Sequence, residues 1–382
     1  PEEIDKIMEE VEDLRNTEKA REEGEKLEQI PSKEEIVEQM NKMKDSAPGE
    51  DGVRLGYLLK GGPMMIEEIV KLVQFMFCNS ADLWEEALKV GLVIPLHKKG
   101  DKNNPNNFRG VVLLSMGSRI LARVLADRLR IWAEKLNLLD DNQSGFRKGR
   151  STADATQIMI RIQEDTEDLK KRIEARGETM DEGEQPVARL LDLRKAYPRV
   201  NKPALWMILK RKGMGERCLR AIQDLHETTR YKVKSREGFS DEWTTERGLR
   251  EGCPSSPPLF NIFHQPVMRI AQRKRKRRAE ELGMEAGIPI KWVPGSAFPT
   301  KSLWEKPNSE AKRIRIDNSL FADDTTIAGR KKEIEEGVKI VKEVMSCFEE
   351  KNNEDKEEEL VFGSEESAKI RMLGSYMGKK ED

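Results

Sequence analysis

Apolar residues recur along the chain at two spacings, and each spacing predicts a different element. Ile4, Met8, Val11 and Leu14 stand at helical spacing within residues 1–30, which read as one charged, mostly exposed helix. Behind Pro31, Ser32-Lys33-Glu34-Glu35 has the form of a capping box and opens a helix carrying Ile36, Met40 and Met43. Turn residues at Ala47-Pro48-Gly49-Glu50-Asp51-Gly52 close it. Helical patterns follow at 65–77, 84–88 and 118–136, the last with Ile120, Leu121, Val124, Leu125, Leu129, Trp132 and Leu136 on one side. Asn201-Lys202-Pro203 caps a helix to about residue 212, and 332–348 is another. Short apolar runs bounded by Gly, Asp or Pro predict strands: 90–96 paired with 110–114, 186–193, and 360–362. Residues 320–322 and 325–328 are expected as the arms of a hairpin with Asp323-Asp324 at its tip. Residues 164–185 are charge-dense and read as an exposed helix and loop, and 271–318 as a basic insertion. Strands separated by helices of uneven length favour an α+β fold with helices on one side of the sheet.

Composition narrows the class. The 382 residues are 37% hydrophobic and 36% charged, enough for a sizeable core and too apolar for a disordered chain. No run of about 18 apolar residues occurs, and residues 1–20 open with acids rather than a basic export signal, so an intracellular chain without a membrane span is expected. Cys78, Cys218, Cys253 and Cys347 are far apart and suggest neither a disulfide ladder nor a zinc pair. The net charge of -1 hides opposed segments: acids dominate 1–40, 164–184 and 349–366, while 273–278 is purely basic. Nucleic acid is therefore not excluded, because local field decides binding and the total does not report it. The basic run reads either as a solvated insertion or as a backbone-contacting or nuclear-import patch. His97, His226 and His264 lack partner spacing for zinc or a nucleophile triad, and Trp84, Trp132 and Trp206 read as core.

Three acids carry the candidate chemistry. An Asp-Asp turn is by itself ordinary turn composition. Asp192, however, is a lone acid ending the apolar run 187–193, and a carboxylate beside a core needs a cation or donor nearby. Should the two strands bring Asp192 alongside Asp323 and Asp324, three carboxylates would face one or two Mg²⁺ (or Mn²⁺) ions, which prefer oxygen ligands and phosphates.

Residues 190–197, then Arg247-Gly248-Leu249-Arg250-Glu251-Gly252-Cys253-Pro254-Ser255-Ser256-Pro257, then Phe321-Ala322-Asp323-Asp324 resemble, in order, motifs A, B and C of reverse transcriptases of the non-LTR (LINE-like) group. Ile94-Pro95-Leu96-His97-Lys98-Lys99-Gly100-Asp101, Asn107-Phe108-Arg109-Gly110-Val111 and Gln143-Ser144-Gly145-Phe146-Arg147-Lys148-Gly149-Arg150-Ser151-Thr152 are similar to that family's fingers. Asn353-Glu354-Asp355-Lys356 with 361–363 looks like motif D, and Met372-Leu373-Gly374 like motif E. The resemblance implies a right-hand polymerase with fingers and an RRM-like palm sheet, thumb absent. Its expected segments are an acidic leader 1–30, fingers 31–185, palm 186–270 and 319–382, and the basic insertion between.

It also implies roles. Asp192 and Asp323 would be the main Mg²⁺ ligands and Asp324 the third acid. Lys98, Lys99 and Arg109 would meet the incoming dNTP's triphosphate, against the alternative of a solvated basic loop. Tyr197 would crowd the ribose 2′-position, or else be a core aromatic; Gly252 would let backbone approach the nucleotide. Lys356 is a candidate general acid, or else a surface lysine. Glu251 stands where the family has glutamine, and Pro198 where it has an acid. The implied function is RNA-directed DNA synthesis with an RNA template, a DNA primer or target and dNTPs as partners. The competing expectation is a non-catalytic nucleic-acid-binding remnant of such an element.

Overall fold

The computed structural model describes residues 2–235, 238–292, 312–363, 371–372 and 375–376. Two compact units interleave in sequence, one built from 1–139 and 197–263, the other from 140–196 and 264–382. They cut across the expected segment 31–185, since 140–185 belong with the strands of the second unit. Part of motif E, residues 373–374, lies outside the described residues.

The first unit holds a three-stranded sheet in the order Phe108–Leu114, Val90–His97, Arg230–Val233. The first two strands run antiparallel with Leu96 opposite Arg109, and Arg230–Val233 lies parallel to Val90–His97. Helices surround a core in which Ile36, Met40, Phe77, Leu121, Leu125 and Trp132 are buried. Met116–Lys135 contributes the apolar stripe read from its sequence, and each large side chain it buries stabilises the unit by about 1.5–3 kcal/mol. Its buried Arg119 donates to Ser46 Oγ and Ala47 O, both at 2.7 Å, and Asp51 accepts from Met116 N at 2.7 Å. The turn at 47–52 is thereby tied to a helix start. Ser32 Oγ caps Lys33–Lys42 by accepting from Glu35 N at 3.2 Å, and Asn201 caps Lys202–Arg211 likewise.

One expectation fails at the N-terminus. Residues 1–30 form two helices, Glu2–Glu9 and Glu18–Glu28, not one exposed helix. Ile7, Met8, Val11, Ala20 and Leu27 are buried, and Leu14 N donates to Arg211 O at 2.7 Å. Most of the acids lie on the outer side of helices whose apolar stripes are core, while Glu23 is buried and paired with Lys26 and Lys135.

The second unit is built on a four-stranded antiparallel sheet ordered Asn318–Phe321, Asp324–Arg330, Pro186–Asp192, Glu358–Val361. Both central strands are buried over most of their length. Met159 and Ile162 of helix Thr152–Glu174 join Ala188, Ala328, Leu360 and Phe362 in one cluster with Ile288 and Ile290. The helix expected to be exposed at 164–185 is thus the later part of one that buries Met159, Ile162 and Thr166.

The basic run at 273–278 is helical. Ser256–Glu281 is one helix that continues through it, and Arg275 points inward, 3% exposed, bonded to Glu333. A two-stranded ladder of Ile288–Trp292 with Lys312–Ile316 follows. No helix among the described residues is long and apolar enough to cross a membrane.

Candidate active site

The central pair of the second sheet ends at the acids. Register sets Asp192 directly opposite Asp324, and Phe321 opposite Asp324 on the other side. The hairpin therefore turns through Ala322-Asp323, not Asp323-Asp324, and Asp324 is the first residue of its strand. Ala322 is left-handed, with φ 58°. Cross-strand Cα partners lie about 4.5–5.5 Å apart, so the carboxylates of Asp192 and Asp324 share one end of the sheet with Asp323 on the adjoining turn.

The charges register one another. The protein packed around the Asp324 carboxyl, then the negative charges of Asp323 and Asp192, push it up to about 6, while Lys356 opposes the rise. Lys356 Nζ donates to Asp192 Oδ2 at 2.9 Å, and Asn353 Nδ2 to the same oxygen at 3.3 Å. Asn353 N also donates to Asp192 O at 2.8 Å. The segment 353–356 is wrapped on the strand end that carries Asp192, and its lysine, although 57% exposed, is engaged there.

Groups behind the acids were given no role at the site by sequence. His264, buried, pairs through Nδ1 with Glu350 at 2.9 and 3.0 Å, and its Nε2 lies 3.3 Å from Thr325 Oγ1, one residue past Asp324. Gln143, assigned with the fingers by resemblance, reaches the hairpin turn. Nothing in a lone histidine or a distant glutamine signals such contacts, which join residues far apart in sequence.

The donor set is all oxygen and all acidic, as a hard divalent ion requires. Among the described residues no three acidic, histidine or cysteine side chains are drawn together closely enough to hold an ion by themselves. Mg²⁺ is commonly held by one or two carboxylates, with water and substrate phosphate in its other positions.

The remaining candidates lie in the first unit. Lys98 and Lys99 are exposed after strand Val90–His97, with Lys98 N donating to Asn107 O at 2.8 Å. Arg109 Nε lies 3.2 Å from Glu251 Oε2, an ion pair without an aligned hydrogen bond. Glu251 O accepts from Val112 N at 2.8 Å, and the next residue, Gly252, has φ 101°. A Cβ on Gly252 would stand 2.9 Å from Val112 O, so only glycine allows this approach. Tyr197 stacks on Phe260 with centroids 5.1 Å apart and 24° between planes, and its carbonyl accepts from Leu249 N at 2.8 Å. Asp192, Asp323, Asp324 and Lys356 are thus gathered in one unit, and Arg109, Glu251 and Gly252 in the other with Lys98, Lys99 and Tyr197.

Comparison with known proteins accords with this geometry. Residues 96–377 match the family model described as reverse transcriptase (RNA-dependent DNA polymerase). A probable RNA-directed DNA polymerase from transposon BS of Drosophila melanogaster is 26% identical over 60% of this chain and 24% of its own length. A retrovirus-related Pol polyprotein from the type-1 retrotransposable element R2 of Popillia japonica is 26% identical over 60% of this chain and 29% of its own. The chain spans only about a quarter of such curated relatives. A telomerase structure from Candida albicans, with a fragment of telomeric RNA, superposes with a TM-score of 0.48 at 12% identity, over 78% of this chain and 44% of that one, too distant to add to the assignment. The family match covers well over half of the chain and spans motifs A to C in the expected order: the chain belongs to the reverse transcriptase (RNA-dependent DNA polymerase) family.

Proposed function

We propose that the chain is the catalytic core of an RNA-directed DNA polymerase, in which a primer 3′-OH attacks the α-phosphate of a dNTP opposite an RNA template and pyrophosphate leaves. The observation that carries the reading is the cross-strand pair Asp192–Asp324 with Asp323 on the adjoining turn, in a chain of this family. On this reading the four-stranded sheet is the palm and the three-stranded sheet belongs to the fingers.

Asp192 and Asp323, with Asp324 beside them, would hold Mg²⁺ or Mn²⁺. Such ions, when bound, activate the attacking oxygen and neutralise charge on the phosphates. The protein's own groups do the rest. Lys356, whose Nζ lies 2.9 Å from Asp192 Oδ2, would give a proton to the departing pyrophosphate. Lys98, Lys99 and Arg109 offer cationic donors to the triphosphate, a guanidinium fork suiting phosphate best. Gly252 keeps the backbone free of a Cβ where the sugar would pass, and Tyr197, held against Phe260, crowds a 2′-hydroxyl.

Primer extension on an RNA template tests this reading. Wild type should incorporate dNTPs with Mg²⁺, and Asp323→Ala should abolish incorporation. Salt-sensitive RNA binding with no incorporation by either protein would favour a non-catalytic remnant instead.

A further inference from the structure

The hairpin bearing Asp323 and Asp324 turns through Ala322 at φ 58°, a conformation in which alanine's Cβ is a hindrance and a glycine would be at ease. A contact from elsewhere must hold it. Segment 142–145 lies along the outer strand of the sheet: Leu320 N donates to Asn142 O at 2.8 Å, and Ser144 N to Leu320 O at 2.9 Å. This pairing brings Gln143, fully buried, against the turn. Its Oε1 accepts from Ala322 N at 3.1 Å and from Gly145 N at 2.8 Å. Two N–H groups converging on one oxygen fix which end of the amide faces the turn. Gly145 makes the approach feasible, because a Cβ there would fall 2.2 Å from Ala322 N. Arg147 clamps the same segment by donating to Asp140 O at 2.7 Å and Gln143 O at 3.1 Å.

The other end of the amide is informative. Gln143 Nε2 is buried and has no hydrogen-bond partner among the described residues. An unsatisfied buried donor is destabilising. A buried donor without a partner beside a left-handed alanine fits the accumulation of strain at functional sites.

We propose that Gln143 is a positioning residue: its carbonyl ties down the Ala322 amide and thereby sets where Asp323 and Asp324 stand. The effect on rate rests on the polymerase reading above; the effect on the turn does not. Small displacements of reacting groups are costly, about 10²-fold for 1 Å.

The test uses Gln143→Met, which keeps length and removes the acceptor, alone and with Ala322→Gly. Amide exchange at Ala322, read without template or nucleotide, should quicken at least about tenfold in Gln143→Met. In primer extension, assayed well below the lowered melting temperature, kcat should fall about 10²-fold with KM for dNTP little changed. Ala322→Gly in that background should restore much of kcat, since glycine adopts the turn unaided. Unchanged exchange at Ala322 in Gln143→Met overturns the proposal, as does a loss of kcat that follows the melting temperature and resists Ala322→Gly. A wild-type chain that does not polymerise overturns the reading of function, and the exchange measurement then decides this one.

Discussion

Lys356 Nζ sits 2.9 Å from Asp192 Oδ2, so a cation already faces the strand-end acid where the proposed metal would bind. Both side chains are partly exposed, and the pair itself adds at most about 1 kcal/mol to stability. Its meaning lies in chemistry. As a counter-charge, Lys356 competes with Mg²⁺ for Asp192; as an acid, it speeds departure of pyrophosphate. Lys356→Gln separates the two: the Mg²⁺ concentration for half-maximal extension should fall, while kcat drops about 10²-fold. A titration of extension rate against Mg²⁺ measures both. Unchanged kcat would leave Lys356 as a counter-charge only.

Arg109 is partly neutralised by Glu251, the residue that departs from the family's glutamine. The pair is 3.2 Å apart without an aligned hydrogen bond, and Arg109 is more than half exposed, so it is available to a competing phosphate. Glu251→Gln removes the competitor. KM for dNTP should fall several-fold with kcat nearly unchanged, the signature of strengthened ground-state binding. Steady-state kinetics across dNTP concentrations would expose an unchanged KM, and with it an Arg109 that does not meet the triphosphate.

Local pattern carried much of this structure and failed where contacts are distant. The strands at 90–97, 108–114 and 186–192 and the helix Met116–Lys135 follow directly from apolar runs and spacing. Asp192 was legible as an acid ending such a run. The hairpin tip was misplaced by one residue because its apolar arms do not reveal which residues turn, and Ala322 has no turn preference to mark the left-handed position. Gln143 and His264 act through pairings to residues 320–325 that no local rule contains. Arg275 did leave a trace: Ala271, Arg275 and Ala279 are buried at a spacing of four, one stripe of a helix, and charge alone had led the basic run to be read as exposed.

That buried arginine makes a prediction about stability. Arg275 donates to Glu333 Oε2 at 2.7 Å, to Asp317 O at 2.8 Å and to Ala328 O at 2.6 Å, the last on the strand that begins at Asp324. Arg275→Met strands one carboxylate and two carbonyls and should destabilise the fold by about 3–5 kcal/mol. The double variant Arg275→Met with Glu333→Leu removes the stranded charge but not the stranded carbonyls, so it should recover only part of the loss. Denaturant unfolding of the three proteins measures this. Full recovery in the double variant would show that the carbonyl bonds contribute little.

His226 predicts the acid limit of the first unit. It is 1% exposed, its Nε2 lies 3.1 Å from Ser255 Oγ, and its Nδ1 has no hydrogen-bond partner among the described residues. Burial first, then the positive charges of Arg250 and Lys202, hold its pKa well below the usual 6.5. The sign follows: below about pH 6.5 the unfolded chain takes up a proton that the folded chain refuses, so stability is present above that pH and is lost as the pH falls through it. His226→Gln keeps a side chain able to bond Ser255 and cannot titrate. Between pH 7 and 5 the melting temperature of wild type should fall more steeply than that of His226→Gln. Parallel curves would mean that other groups set the acid limit.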